Sequence, residues 1–249
     1  SLVFTYFATS LKDIKKASRY SKYLLTKKTT NVYVFINNLM RDKTTREYFE
    51  KLSRNIETEF GITDLLNGMD IEDYCLSDAF ISIDKNIIKY IVDKLFNSIG
   101  EYEVYKHYID IRENKYWYEK LENEYNLLKN SIAFFEKINS IENAIKIVDI
   151  DRFAKDYTDN FYEVDTLYRK IYFYYDSIED KDIFINLKNK IENIYVNDFM
   201  SELSIKWSDM IENMSKYDSN RMTLQKDFYK NYIKPFNDKK DRIIVIISD

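Results

Sequence analysis

Catalytic chemistry in this sequence has few side chains to draw on. There is one histidine, His107, and one cysteine, Cys75, so any Ser-His-Asp or Cys-His arrangement would have to use one of them. Glu103, His107 and Asp110 fall at i, i+4 and i+7, which puts them on one helix face as half of a possible metal site. A solvated charged face accounts for the same spacing. Cys75, single, excludes an internal disulfide, reads as a small buried hydrophobe and fits a reducing cytoplasm. Lys12, Lys15, Lys16, Arg19, Lys22, Lys27 and Lys28 face only one acid, Asp13. Such clustered cations hold nucleic-acid phosphates without sequence preference, and a solvated face competes here too. Lys115-Tyr116-Trp117-Tyr118 has the basic-aromatic mix of a single-strand stacking platform, but its helical spacing draws Tyr118 into the core. Asp249 ends the run Arg242–Asp249, at the carboxyl end of an expected strand, where a cation can be held.

The elements that would position these groups are helical. Of 249 residues, 45% are hydrophobic and 32% charged, which excludes disorder. With only 3 Gly and 1 Pro, an all-β fold lacks its turns and a Gly-rich phosphate loop lacks its glycines. The net charge of −4 gives no general attraction to nucleic acid. No apolar run approaches the roughly 20 residues that span a bilayer, so no membrane is expected. Leu2–Leu11 lacks the basic flank and cleavage site of a signal peptide.

Thr29–Met40 reads as a helix, and Thr44 with Glu47 as a capping box opening a helix that Gly61 ends. A short helix from Thr63 to near Gly68 and another over Ile87–Phe96, stopped at Gly100, follow. Tyr118, Leu121, Tyr125, Leu128, Ile132 and Phe135 alternate by three and four residues. The same alternation runs unbroken from Ile150 through Phe161, Val164, Tyr168 and Ile171 to Ile178, and a third series runs from Leu187 to Met214. Short connections make such helices antiparallel neighbours. The expected fold is mainly α: a subdomain of short helices over 1–114, an elongated antiparallel bundle or arm over 115–216, and a connector helix with one strand over 217–249. The apolar run Ile243–Ile247 lacks partners in the chain, so its sheet is expected beyond Asp249, in an α/β domain of a longer protein.

Tyr157-Thr158, Val164–Lys170 and Tyr172–Asp176 resemble the helical region preceding the catalytic domain in type A PglZ proteins of BREX phage-defence systems. Thr30–Phe35, Trp117-Tyr118, Ser204–Trp207, Phe228-Tyr229, Pro235-Phe236 and Ile243–Asp249 support the likeness in order along the chain. The resemblance implies that the last strand opens an alkaline-phosphatase-like domain and that Asp249 is a metal ligand. It also implies a parent protein that is a metal-dependent phosphatase or nuclease, using zinc or a similar divalent metal, with DNA and a DNA methyltransferase as partners. This segment is expected to hold no cofactor and to be inactive alone. The alternatives are a stand-alone helical protein-interaction module and a nucleic-acid-binding adaptor.

Overall fold

The structure, a computed structural model, describes residues 2–141, 150–212, 225–239 and 242–246. Its core follows from helical stripes of apolar side chains. In α1 (Leu2–Ser10) the run Val3, Phe4, Tyr6, Phe7 and Ala8 is buried. It is covered by α2 (Thr29–Arg41) and α3 (Arg46–Glu59). Gly61 sits at φ 55°, a left-handed position that costs a glycine nothing. It turns the chain from α3 into α4 (Ile62–Asn67), which Gly68 closes. The α3 start differs from the expected capping box. Thr45 is the flanking residue, while Asp42 Oδ1 accepts the Thr44 amide at 2.8 Å and its hydroxyl at 2.7 Å. Asp42 therefore takes the Thr44 amide that the Glu47 carboxylate was expected to accept, and the Thr44 hydroxyl, expected to accept the Glu47 amide, donates to Asp42 instead.

After α5 (Ile71–Tyr74) comes α6 (Ile81–Phe96), which buries Ile83, Ile87, Ile88, Ile91, Val92 and Leu95. The α6 helix packs on α4 and α7 (Tyr102–Glu113) and also on α8 (Glu122–Ile141) and α11 (Ile185–Asn193). Its left-handed stop residue is Ser98, at φ 58°, two residues before the Gly100 that the sequence suggests. The Lys190 ammonium closes this end. It donates to the carbonyls of Leu95 (2.9 Å) and Phe96 (2.7 Å) and to Ser98 Oγ (2.6 Å).

The second half is also helical. The start of α8 meets the end of α10 (Tyr162–Ser177) at Asn123–Ser177, and its end meets Asn160 and Glu163 through Lys137, so the pair is antiparallel. Two π segments interrupt the regular spacing. Tyr157–Phe161 separates α9 (Ile150–Asp156) from α10, and Ile194–Met200 separates α11 from α12 (Ser201–Glu212). The extra residue in each turn is held by one acceptor. Buried Asp165 accepts the Tyr195 hydroxyl at 2.7 Å and the Tyr157 hydroxyl on its other oxygen. Tyr168 and Tyr195 stack at 3.8 Å and 10° between the two segments.

The chain near its end departs from the expectation. A short 3₁₀ turn, a π turn and α13 (Lys234–Asn237) lead to Arg242–Ile246, which forms no strand. Among the described residues there is no strand for it to pair with, so its amides have no ladder and Ile244 and Ile246 remain 78% and 87% exposed. Asp249 and the rest of that run lie outside the described residues.

Candidate nucleic-acid interface

The basic stretch folds as a strap across the first half. Asp13 Oδ1 accepts the Lys15 amide at 2.9 Å and starts a 3₁₀ helix over Ile14–Tyr23, whose one buried residue is Ala17. Aromatic contacts hold the strap from below. The Tyr20 hydroxyl donates to the Phe60 carbonyl at 2.6 Å, and its ring lies edge-on to Phe4 and Phe60. Tyr23 makes a further edge contact with Phe60, and the Leu25 amide donates to Thr5 Oγ1 at 3.0 Å.

Two of the seven cations are used in this attachment. Lys12 pairs with Glu72 at 3.0 Å, and Lys16 pairs with Asp73. These bonds raise the pKa of both lysines, and the Lys16 ammonium lowers that of Asp73. Lys15, Arg19, Lys22, Lys27 and Lys28 remain exposed and make no ion pair among the described residues. Arg19 and Lys22 lie over the rings of Tyr20 and Tyr23, at 5.6 and 4.8 Å. The cleft lined by Lys16 and Arg19 is also lined by Glu59 and Asp64, whose charge opposes an anion there. This arrangement offers point charges and no base-reading pocket.

The other groups with possible chemistry are placed plainly. Glu103, His107 and Asp110 are all exposed, and Glu103 pairs with Lys106 at 2.9 Å. Among the described residues no three His, Cys, Asp or Glu side chains gather in a way that could hold a metal, so those residues do not fit the expected divalent cation. Cys75 is buried, and burial raises its thiol pKa, which leaves it a poor nucleophile. Trp117 is fully buried, and Tyr118 stacks on Tyr125 at 4.8 Å, so this aromatic run packs the core.

The sequence did not single out the most tightly bound polar group. Arg112, 0% exposed, donates Nε and Nη2 to the two oxygens of Asp84 at 2.8 and 2.7 Å. Its Nη1 donates to the carbonyls of Cys75 (2.8 Å) and Ser77 (2.5 Å), and the Tyr125 hydroxyl donates to Asp84 at 2.6 Å. Burial alone would lower the Arg112 pKa, but the Asp84 carboxylate outweighs it and keeps the guanidinium charged. Asp78, 3.6 Å from Arg112, accepts the Tyr116 amide on both oxygens. The spacing Tyr105, Tyr108, Ile109, Arg112 was the available signal, since it puts an arginine on the buried stripe of α7.

Two curated proteins are similar to the chain. It is 36% identical over 221 residues to the alkaline phosphatase-like protein PglZ of Bacillus cereus (strain H3081.97), covering 88% of this chain and 26% of that protein. It is 26% identical over 185 residues to the alkaline phosphatase-like protein BrxZ of Escherichia coli O9:H4 (strain HS), covering 69% of this chain and 21% of that protein. The chain thus spans about a quarter of the length of the curated relatives it matches. No family model matches it, and neither does any solved structure.

Proposed function

The chain belongs to the PglZ family, and from that premise we propose that it is the non-catalytic helical scaffold of a metal-dependent phosphatase or nuclease acting in a BREX-type phage-defence system. In this reading it contacts DNA through the strap and lies beside other defence proteins such as a DNA methyltransferase, in the cytoplasm. No described helix is long and apolar enough to cross a membrane. The divalent cation, zinc or similar, belongs to parts of the whole protein outside the described residues, with Asp249 its one assigned ligand in this chain.

The observation that carries the DNA contact is the strap itself. Five cations with no ion pair among the described residues project from a segment whose Lys12, Lys16, Tyr20 and Tyr23 are bound to the body, so the positive rim is held in place before any ligand arrives. The measurement is titration of a labelled duplex at low and moderate salt, comparing wild type with Lys15→Glu/Arg19→Glu/Lys22→Glu. Each phosphate contact contributes about −0.9 to the slope of log K against log salt, so the variant should bind weakly and lose roughly two to three units of slope. Equal binding by both proteins, or no wild-type binding at low salt, removes the DNA contact. The protein-interaction reading is favoured by one observation, the half-exposed Tyr33, Val34 and Phe35 on α2, and it stands if duplex binding fails.

A further inference from the structure

A second cleft with basic side chains in its lining lies in the fold, separate from the strap. Between the end of α2, the start of α3 and the turn after α7 is a cleft of about 470 Å³, within the range for small-molecule sites. Arg41, Arg46 and Lys115 line it, and among the described residues none of the three is in an ion pair. Most of its acids already have partners. Asp78 is occupied by the Tyr116 amide, and Glu113 is bound to Lys129. Glu119, exposed, also lines the cleft and has no ion-pair partner among the described residues.

Arg46 is the informative residue. Its guanidinium lies 5.6 Å over the ring of Tyr116, whose hydroxyl is fixed by a 2.8 Å bond to Glu50. Its Nε is buried and has no hydrogen-bond partner. That atom is closed to a ligand as it is to water, so the terminal nitrogens Nη1 and Nη2 are the ones left to take an anion. The planar fork of arginine suits two oxygens of one phosphoryl group. Glu113 and Glu119 also line the cleft, with Asp42 on the neighbouring turn, and this negative charge opposes a long polyanion.

We propose that this cleft binds the phosphoryl group of a small phosphate monoester, with Arg46 as the bidentate donor and Arg41 and Lys115 as flanking charges. The site shares no residue with the strap and does not depend on it. The test is calorimetric titration of the 249-residue chain at low salt with inorganic phosphate, adenosine 5′-monophosphate, and adenosine as the phosphate-free control. Phosphate and the nucleotide should saturate one site and adenosine should not, and tighter binding of the nucleotide identifies the ligand as more than free phosphate. Arg46→Gln and Lys115→Gln should each weaken binding about tenfold, while charge reversal at Lys15, Arg19 and Lys22 leaves it intact. Should Arg46→Gln fail to fold, Arg41→Gln, at an exposed position, and Lys115→Gln decide the matter. No saturable binding of either probe, binding unchanged in the variants, or binding only of duplex DNA overturns the proposal.

Discussion

Arg112 illustrates what a single buried charge does in a helical core. It ties the turn between α5 and α6 to α7 and, through Asp84, to Tyr125 of α8. Removing one partner strands the other, so Arg112→Met and Asp84→Asn should each cost on the order of 3–5 kcal/mol in denaturant melts. The paired change Arg112→Met/Asp84→Leu should recover much of that loss, and no recovery would mean that the carbonyl bonds to Cys75 and Ser77 dominate. At the strap, Lys16 holds the Asp73 pKa below its ordinary value. A carboxylate with a lowered folded pKa stabilises above the unfolded value, about 3.9, and loses that contribution as pH falls through the folded one. Hydrogen exchange over Ile14–Tyr23 should therefore rise in that acid window in wild type, and Asp73→Asn should show fast exchange at every pH. At this scale the sequence was partly legible. The seven cations stood out, but that two of them are spent on Glu72 and Asp73, some 60 residues away, depends on tertiary packing. A buried Arg112 is likewise visible only once α7 is known to bury that stripe.

The helices themselves followed from apolar spacing, and their irregular turns did not. The series from Ile150 to Ile178 reads as one unbroken helix, yet the five residues Tyr157–Phe161 wind as a π segment. The reason is polar: Asp165 collects one tyrosine hydroxyl from each of two helices, and a heptad pattern records only apolar positions. Asp165→Ala should leave both hydroxyls without their acceptor and cost about 1–3 kcal/mol per group that stays buried. In Asp165→Asn the side chain still accepts, so the loss should be smaller. Phe161 is 0% exposed at the end of the same segment, and Phe161→Ala should cost about 3–5 kcal/mol. Tyr168, half-buried and stacked on Tyr195, should cost less when changed to alanine. An equal loss at the two positions in denaturant melts would count against this picture. The expected terminal strand fails for a related reason. β-branched composition states a preference, and a ladder needs a neighbour that the described residues lack.

Across the whole molecule, α6 belongs to both halves, since it packs on α4 and α7 and also on α8 and α11. Pieces covering 1–114 and 115–249, produced separately, should therefore give weak or non-cooperative melts, and mixing them should restore a cooperative one. Independent cooperative unfolding of both pieces would instead support the division at 114 suggested by the change in sequence character. The bond from Lys190 to the end of α6 adds a matter of timing. Its partner Leu95 lies 95 residues earlier in the chain. At synthesis rates of roughly 5–20 residues per second, the last turn of α6 waits roughly 5–19 s for its cap. During that interval the face of α6 destined for α8 and α11 has only part of its cover. The nascent chain thus carries a row of isoleucines open to a chaperone or to a neighbouring copy, until the helix bearing Lys190 leaves the ribosome and closes it.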